Sequence, residues 1–232
     1  MRQFGDLEAV QGLIDSETAA IMIEPVQGEG GINIPPEGFL AGLRQIADDQ
    51  GLLLVFDEVQ TGCGRTGHWF AYQHFGVTPD VITLAKSLCG GIAGGALLTT
   101  AEIAPSLRPG MHAATFGGNP IAARAGIAAI EMIDQGNLLQ NARKLGGIFQ
   151  QRLTELKGQC DLIREVRVLG LMIGIELSMD GTPIVQGCMD RKLLINCTHN
   201  TVLRLLPAMN LSEQQVHDGC DILTKVLKEH AT

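Results

Sequence analysis

Leu52-Leu53-Leu54-Val55-Phe56 runs without a break into Asp57-Glu58-Val59-Gln60. An apolar run with no polar alternation suits a strand buried on both faces of a parallel sheet. Sheets of that kind take ligands beyond the carboxyl ends of their strands, so Asp57 is expected at the edge of a crevice. A second such run, Val81-Ile82-Thr83-Leu84-Ala85, ends in Lys86 and is followed by Cys89-Gly90-Gly91-Ile92-Ala93-Gly94-Gly95. Two strands therefore end in functional groups of opposite kind, and both groups are expected to reach one crevice.

Lys86 is the only lysine among the first 143 residues. A part-desolvated amine at a strand end can form a Schiff base with a carbonyl. Position alone is equally compatible with a lysine that reaches from the strand end to water. The pair also admits two readings, a structural salt bridge or a working couple. Pyridoxal phosphate chemistry calls for such a couple, with a lysine to hold the aldehyde and a carboxylate to keep the pyridine nitrogen protonated.

With 232 residues, 45% of them hydrophobic, the chain is long enough for one large or two modest domains with real cores. A net charge of −8 and the absence of a basic run argue against nucleic acid or an anionic membrane as partner. No apolar stretch approaches the roughly 18 residues of a membrane span, and the N-terminus lacks a basic region followed by an apolar segment. The cysteines (63, 89, 160, 188, 197 and 220) form no C-x-x-C pair and no His/Cys ligand spacing. They read as small core residues of a reduced, cytoplasmic protein without a metal site.

Strand-like runs at Ala19 to Glu24, Leu52 to Phe56, Val81 to Ala85 and Gly95 to Thr99 alternate with helical or loop segments, the pattern of an α/β sheet. A helix is predicted from Pro35-Pro36-Glu37-Gly38 to about Gly51, as a crossover between two strands. After Asn119-Pro120 the pattern turns to long helices, Ile121 to Ile133 and Leu138 to Leu156. The rest reads as a strand Gly170 to Leu177, a helix from about Pro183 to Lys192, strands at Leu194 to Asn196 and Val202 to Leu206, and a helix Ser212 to His230. Ser212 and Gln215 form a capping-box signature. Two domains follow, 1–130 and 131–232.

Gly62-Cys63-Gly64-Arg65-Thr66-Gly67 matches the dinucleotide fingerprint G-x-G-x-x-G. Its context does not, because five residues separate the first glycine from the strand and Asp80 precedes a strand instead of closing one.

Several blocks taken together resemble the class-III aminotransferases of the fold type I pyridoxal-phosphate group, most of all the branch acting on N-acetylornithine. They are Ile23-Glu24-Pro25-Val26-Gln27-Gly28-Glu29-Gly30-Gly31, Phe56 to Gly62 with Gly64 to Gly67, Ile82 to Lys86, Thr115-Phe116-Gly117-Gly118-Asn119-Pro120, Gly170 to Leu177, and Leu194-Ile195-Asn196 with Leu203 to Pro207. The resemblance implies an α/β fold: a partial large domain with a mostly parallel sheet, followed by a C-terminal α+β small domain.

It also implies roles. Lys86 would be the Schiff-base lysine and the acid/base of proton transfer. Asp57 would pair with the pyridine nitrogen, Val59 would pack on the ring, Gln60 would reach its phenolic oxygen, and Glu58 stands within the same cofactor-binding block. Thr115 would bind the phosphate of the neighbouring subunit in a homodimer. Glu29 and Arg204 would form a gate, in which the arginine receives the α-carboxylate of glutamate and the glutamate side chain masks it when an ω-amine donor enters. The substrates implied are an amino-acid donor, N-acetylornithine, and 2-oxoglutarate, with ornithine, succinylornithine and 4-aminobutyrate as alternative donors.

The chain departs from the family where Ile92-Ala93 stands in place of a frequent proline, and at Ala114, where a serine that touches substrate is common. The family's phosphate loop, ring-stacking aromatic and carboxylate-binding arginine are not found in these residues. The chain therefore reads as a C-terminal part of such an enzyme, expected to bind cofactor poorly alone. From a different class, an inactive interaction protein that keeps only dimerising surfaces is the alternative.

Overall fold

The computed structural model describes residues 4–231. They form two compact units. The first holds the residues up to Pro25 together with Pro35–Cys63 and His68–Gly136; the second holds Val26–Ile34, Gly64–Gly67 and the residues from Asn137 on. The division expected near residue 130 thus falls at Gly136, and two short segments of the first half join the second unit.

In chain order the first unit consists of α1 (Leu7–Gln11), β1 (Ala20–Ile23), α2 (Phe39–Gln50), β2 (Leu53–Asp57), α3 (Tyr72–Phe75), β3 (Val81–Leu84), a 3₁₀ turn (Lys86–Cys89), β4 (Ala96–Thr99) and α4 (Pro120–Gln135). The sheet order is β1-β2-β3-β4, with the first three parallel and β4 antiparallel to β3. Phe39, Leu40, Leu43 and Ala47 of α2 bury Leu54 and Phe56 of β2, joined by Ile21 and Ile23 of β1. Gly51, left-handed at φ 67, ends α2 and donates to the Ala47 carbonyl, which lets the chain turn directly into β2.

Leu52 to Phe56 was expected to be covered on both faces. The described residues cover one face fully and the other only in part, with Val81 buried there and Val55 half-buried. Successive strand residues point to opposite faces, so Leu54 and Phe56 enter the α2 core while Leu53, Val55 and Asp57 face the other way. On that second face Met22, Leu53 and Leu97 are exposed.

Glu58 follows Asp57 and, with parity reversed, turns inward to 1% exposure. Its backbone N–H donates to the Thr83 carbonyl at 3.0 Å, tying the end of β2 to β3. Its carboxylate accepts from the Thr61 hydroxyl and from the backbone N–H groups of Ala71 and Tyr72, both at 2.9 Å. One side chain thereby closes the loop that leads from β2 to α3.

The second unit continues with α5 (Leu138–Lys157), β5 (Ile163–Leu169), β6 (Met172–Leu177), α6 (Thr182–Asp190), β7 (Asn196–Thr198), β8 (Val202–Leu205) and α7 (Glu213–His230). Its sheet, ordered β5-β6-β8-β7, is antiparallel throughout. Ile173, Ile175, Leu177 and Leu203 form one core with Leu145, Phe149 and Leu153 of α5 and Val216, Cys220 and Leu223 of α7. The capping box at Ser212 and Gln215 is present with both reciprocal hydrogen bonds. Burial pushes the thiols of Cys188 and Cys220 up to about 11, in keeping with inert core residues.

β5 was not foreseen, and β7 begins two residues later than the strand predicted at Leu194. A β-bulge between Ile163 and Glu165 breaks the alternation of β5. Only Glu165-Val166-Arg167-Val168 keeps a period of two. Among the described residues no helix is long and apolar enough to cross a membrane, and no group of three or more His, Cys, Asp or Glu could hold a metal.

Two outcomes follow from this packing. A methyl group on Gly146 of α5 would stand 2.5 Å from the Gly170 carbonyl oxygen. Gly146→Ala is expected to lower unfolding stability by about 1–3 kcal/mol in denaturant titration; an unchanged midpoint would contradict this close approach. Burial holds the Glu58 carboxyl above its ordinary value of 4.5, against the opposing pull of its hydrogen bonds. A raised folded-state value means that the group favours folding below 4.5 and that this contribution is lost as pH rises through the folded value. Stability of the parent relative to Glu58→Gln should therefore increase as pH falls from neutrality towards 4.5, as read by thermal melts across that range.

Candidate active site

Asp57 is the last residue of β2 and pairs in register with Thr83 of the adjacent parallel β3. Its Oδ1 accepts from the Val59 N–H at 3.0 Å and from the Thr83 hydroxyl at 3.1 Å. Both donors hold the carboxylate upright on the sheet face opposite α2. The two donors share one oxygen, which fixes the orientation of the carboxylate.

Lys86 lies just beyond the end of β3. It opens the 3₁₀ turn with a left-handed backbone, φ 44, a conformation that costs a non-glycine residue about 1–3 kcal/mol. Ala85 before it has left the strand, at φ −158 and ψ −143. Adjacent parallel strands thus deliver a carboxylate and an amine to the same edge of the sheet. The amine was expected to be partly desolvated, yet Lys86 and the whole segment from Gly90 to Leu98 beyond it are exposed. Nothing described on this face shields the amine, which is why the expectation is not met.

Val59 and Gln60 continue from Asp57 and are half-buried. Glu58, grouped with them on sequence grounds, spends its carboxylate on the Thr61, Ala71 and Tyr72 donors and supports the loop from within. Thr115 and Ala114 sit at an exposed turn, closed by the Gly117 N–H to the Ala114 carbonyl at 3.0 Å, just before α4. Among the described residues, no hydrogen bond or ion pair joins either of them to Asp57 or Lys86.

The second unit holds the other predicted pair. Glu29 Oε1 receives the Arg204 Nη1 at 2.7 Å, although 175 residues separate the two in the chain. Exposure differs sharply, with the arginine side chain at 9% and the glutamate at 70%. The guanidinium is thus a fixed, walled group and the carboxylate a movable one. Arg204 Nε also donates to Asn196 Oδ1 at 3.3 Å, across the β7–β8 pairing. The backbone carbonyl of Glu29 is held by the Thr198 hydroxyl.

Arg167 of β5, missed on sequence because β5 was, touches the loop that carries Glu29. Its Nε and Nη2 donate to the Gly31 carbonyl at 3.2 and 2.8 Å. Only the short alternation around it could have marked it.

Residues 2–227 match the family model for class-III aminotransferases. An acetylornithine aminotransferase of Methanocaldococcus jannaschii is 45% identical, over 97% of this chain and 57% of that protein. An ornithine aminotransferase of Staphylococcus carnosus is 40% identical, over 96% of this chain and 56% of its own length. A crystal structure of acetylornithine aminotransferase from Elizabethkingia anophelis superposes with a TM-score of 0.91 at 34% identity, covering 97% of this chain and 59% of that one. The chain therefore spans a little over half the length of the proteins it matches. Family model, relatives and fold agree that the chain belongs to the class-III aminotransferases, with the α/β architecture of the fold type I pyridoxal-phosphate enzymes.

Proposed function

We propose that this chain acts in a pyridoxal 5'-phosphate-dependent transaminase that moves the ω-amino group of N-acetylornithine to 2-oxoglutarate. The observation that carries the reading is Asp57 and Lys86 closing adjacent parallel strands at one sheet edge. That donor set fits the cofactor, since a primary amine matches an aldehyde and a carboxylate matches a basic ring nitrogen. When bound, pyridoxal phosphate supplies the aldehyde that carries the amino group and a ring that accepts an electron pair.

Lys86 Nζ would hold that aldehyde and, once released, would take the proton from the amino-bearing carbon of the donor and deliver it to the carbon that had been the aldehyde. Its left-handed backbone at the strand end fixes where the amine starts from. Asp57 would hold a proton on the ring nitrogen, with Thr83 and the Val59 N–H keeping its carboxylate from swinging away. Val59 would pack against the ring and Gln60 would hydrogen-bond near its phenolic oxygen. Arg204 would receive the α-carboxylate of glutamate, and Glu29 would mask it while the ω-amine donor is bound.

A homodimer belongs to the same reading, with Thr115 serving the partner's phosphate. Support comes from the apolar residues exposed along the turn before α4 and on α4 itself, Phe116, Ile121, Ile127 and Met132. A second donor, ornithine, is kept open by the ornithine aminotransferase among the relatives.

Borohydride reduction of the intact enzyme and peptide mapping should recover the pyridoxyl group on Lys86, and an adduct on another lysine would overturn the assignment. Lys86→Ala is expected to lower turnover by at least about 10²–10⁴-fold. Mixing refolded Lys86→Ala and Thr115→Ala proteins should restore activity towards about a quarter of the parent's, because random pairing of a two-fold dimer leaves one intact site in half the dimers. No recovery, with mixed dimers demonstrated, would sink the shared site. Turnover of N-acetylornithine, ornithine, succinylornithine and 4-aminobutyrate decides the donor, and a wide lead for any but the first would refute it.

A further inference from the structure

Four residues stand in register across the second sheet: Arg167 of β5, Gly174 of β6, Arg204 of β8 and Asn196 of β7. Residues directly opposite in a sheet share a face. The face is the one turned away from α5 and α7, since Ile173, Ile175 and Leu203 occupy the other. Two arginines thus flank a glycine. A methyl group on Gly174 would stand 2.9 Å from Ile32 Cβ and 3.0 Å from the Gly31 carbonyl oxygen. The gap left by the missing side chain is therefore filled by the backbone of the Glu29-bearing loop.

Each flanking arginine grips that loop at a different point. Arg204 meets the Glu29 side chain, whereas Arg167 meets the Gly31 backbone with two N–H donors. Arg167 is itself fixed, with Nη2 at 2.8 Å from Glu176 Oε2 and Nη1 on Glu165. Glu176 in turn accepts from the Thr201 hydroxyl at 3.2 Å. The loop ends are joined by paired Gln27 and Asn33 backbone bonds at 3.1 and 3.2 Å, and Asn33 Nδ2 donates to Gln27 Oε1 and the Gly30 carbonyl, both at 2.8 Å. Ile32 is fully buried.

We propose that Arg167 is a positioning residue for the Glu29–Arg204 gate, holding the Gly28–Asn33 loop on Gly174 so that the gate opens by rotation of the Glu29 side chain alone. The proposal rests on the aminotransferase reading above. It gives the gate a physical basis: an exposed carboxylate swings from a backbone that cannot follow it. Without Arg167 the Glu29 carbonyl keeps its bond from the Thr198 hydroxyl while Gly31 is released, so the carboxylate is held less squarely on Arg204 and masking weakens without any change at Lys86.

The intact holoenzyme tests this with Arg167→Met, which keeps the aliphatic stem and removes every donor. Two results are expected together. Amide hydrogen exchange in residues 28–33 should quicken about tenfold or more, while exchange in β6 and β8 stays as in the parent. KM for glutamate should fall about fivefold or more while KM for the ω-amine donor does not fall, with no further fall in the double variant with Glu29→Gln. A merely structural arginine would lower kcat for glutamate and for the ω-amine donor alike, additively with Glu29→Gln, and that result overturns the proposal. So does unchanged exchange in the loop. Should Arg167→Met fail to fold, Gly174→Ala lifts the same loop with Arg167 intact and must give the same KM split. If the parent enzyme turns over neither glutamate nor any ω-amine donor, it is the aminotransferase reading that fails, while loop exchange still reports whether Arg167 holds the loop.

Discussion

The parity of side chains along β2 is the constraint on which the first unit depends. Leu54 and Phe56 must both reach the α2 core, so Asp57 cannot, and it emerges on the opposite face where the strand ends. The same parity sends Glu58 inward. A slip of one residue would bury Asp57 without partners and expose Glu58, losing the hydrogen bonds of both carboxylates at once. Hydrophobic packing of α2 thus decides which of two adjacent carboxylates faces solvent chemistry and which serves as a knot.

The second sheet applies the same rule to a different end. Its apolar residues alternate into the core shared with α5 and α7, and this leaves Arg167, Gly174 and Arg204 in one row on the far face. Two cations on one face would repel if bare. Here each has its own acceptors: Glu176, Glu165 and the Gly31 carbonyl for Arg167, Glu29 and Asn196 for Arg204. The glycine between them leaves room for main chain, so backbone carbonyl and side-chain carboxylate can both be offered to the row. Arg204 is almost buried and charged, which makes its partner costly to remove without a substitute. Glu29 supplies that partner from an exposed position, so the pair joins a walled cation to a solvent-facing carboxylate.

Much of this was legible from local sequence. The apolar runs ending at Asp57 and Lys86 marked β2 and β3 because consecutive apolar residues bounded by polar ones leave few alternatives. Asn119-Pro120 and Ser212 with Gln215 marked helix starts because caps act within one turn. β5 was hidden because its bulge breaks the period on which strand reading relies, and Arg167 was hidden with it. The antiparallel direction of β4 could not be read, since a short strand carries no sign of its partner's direction. The exposure of Lys86 also escaped, because burial depends on what covers a face, and no local pattern records that.

What the sequence determined by itself is which polar residues close the apolar strands and where those elements end, because both depend on neighbours a few residues apart. Tertiary structure alone decided the pairings: Asp57 with Thr83, Glu58 with Ala71 and Tyr72, Glu29 with Arg204, Arg167 with Gly31. Each joins residues distant in the chain through strand register or loop docking. Register follows from burying one apolar set against another, a property of the whole unit that no single segment contains.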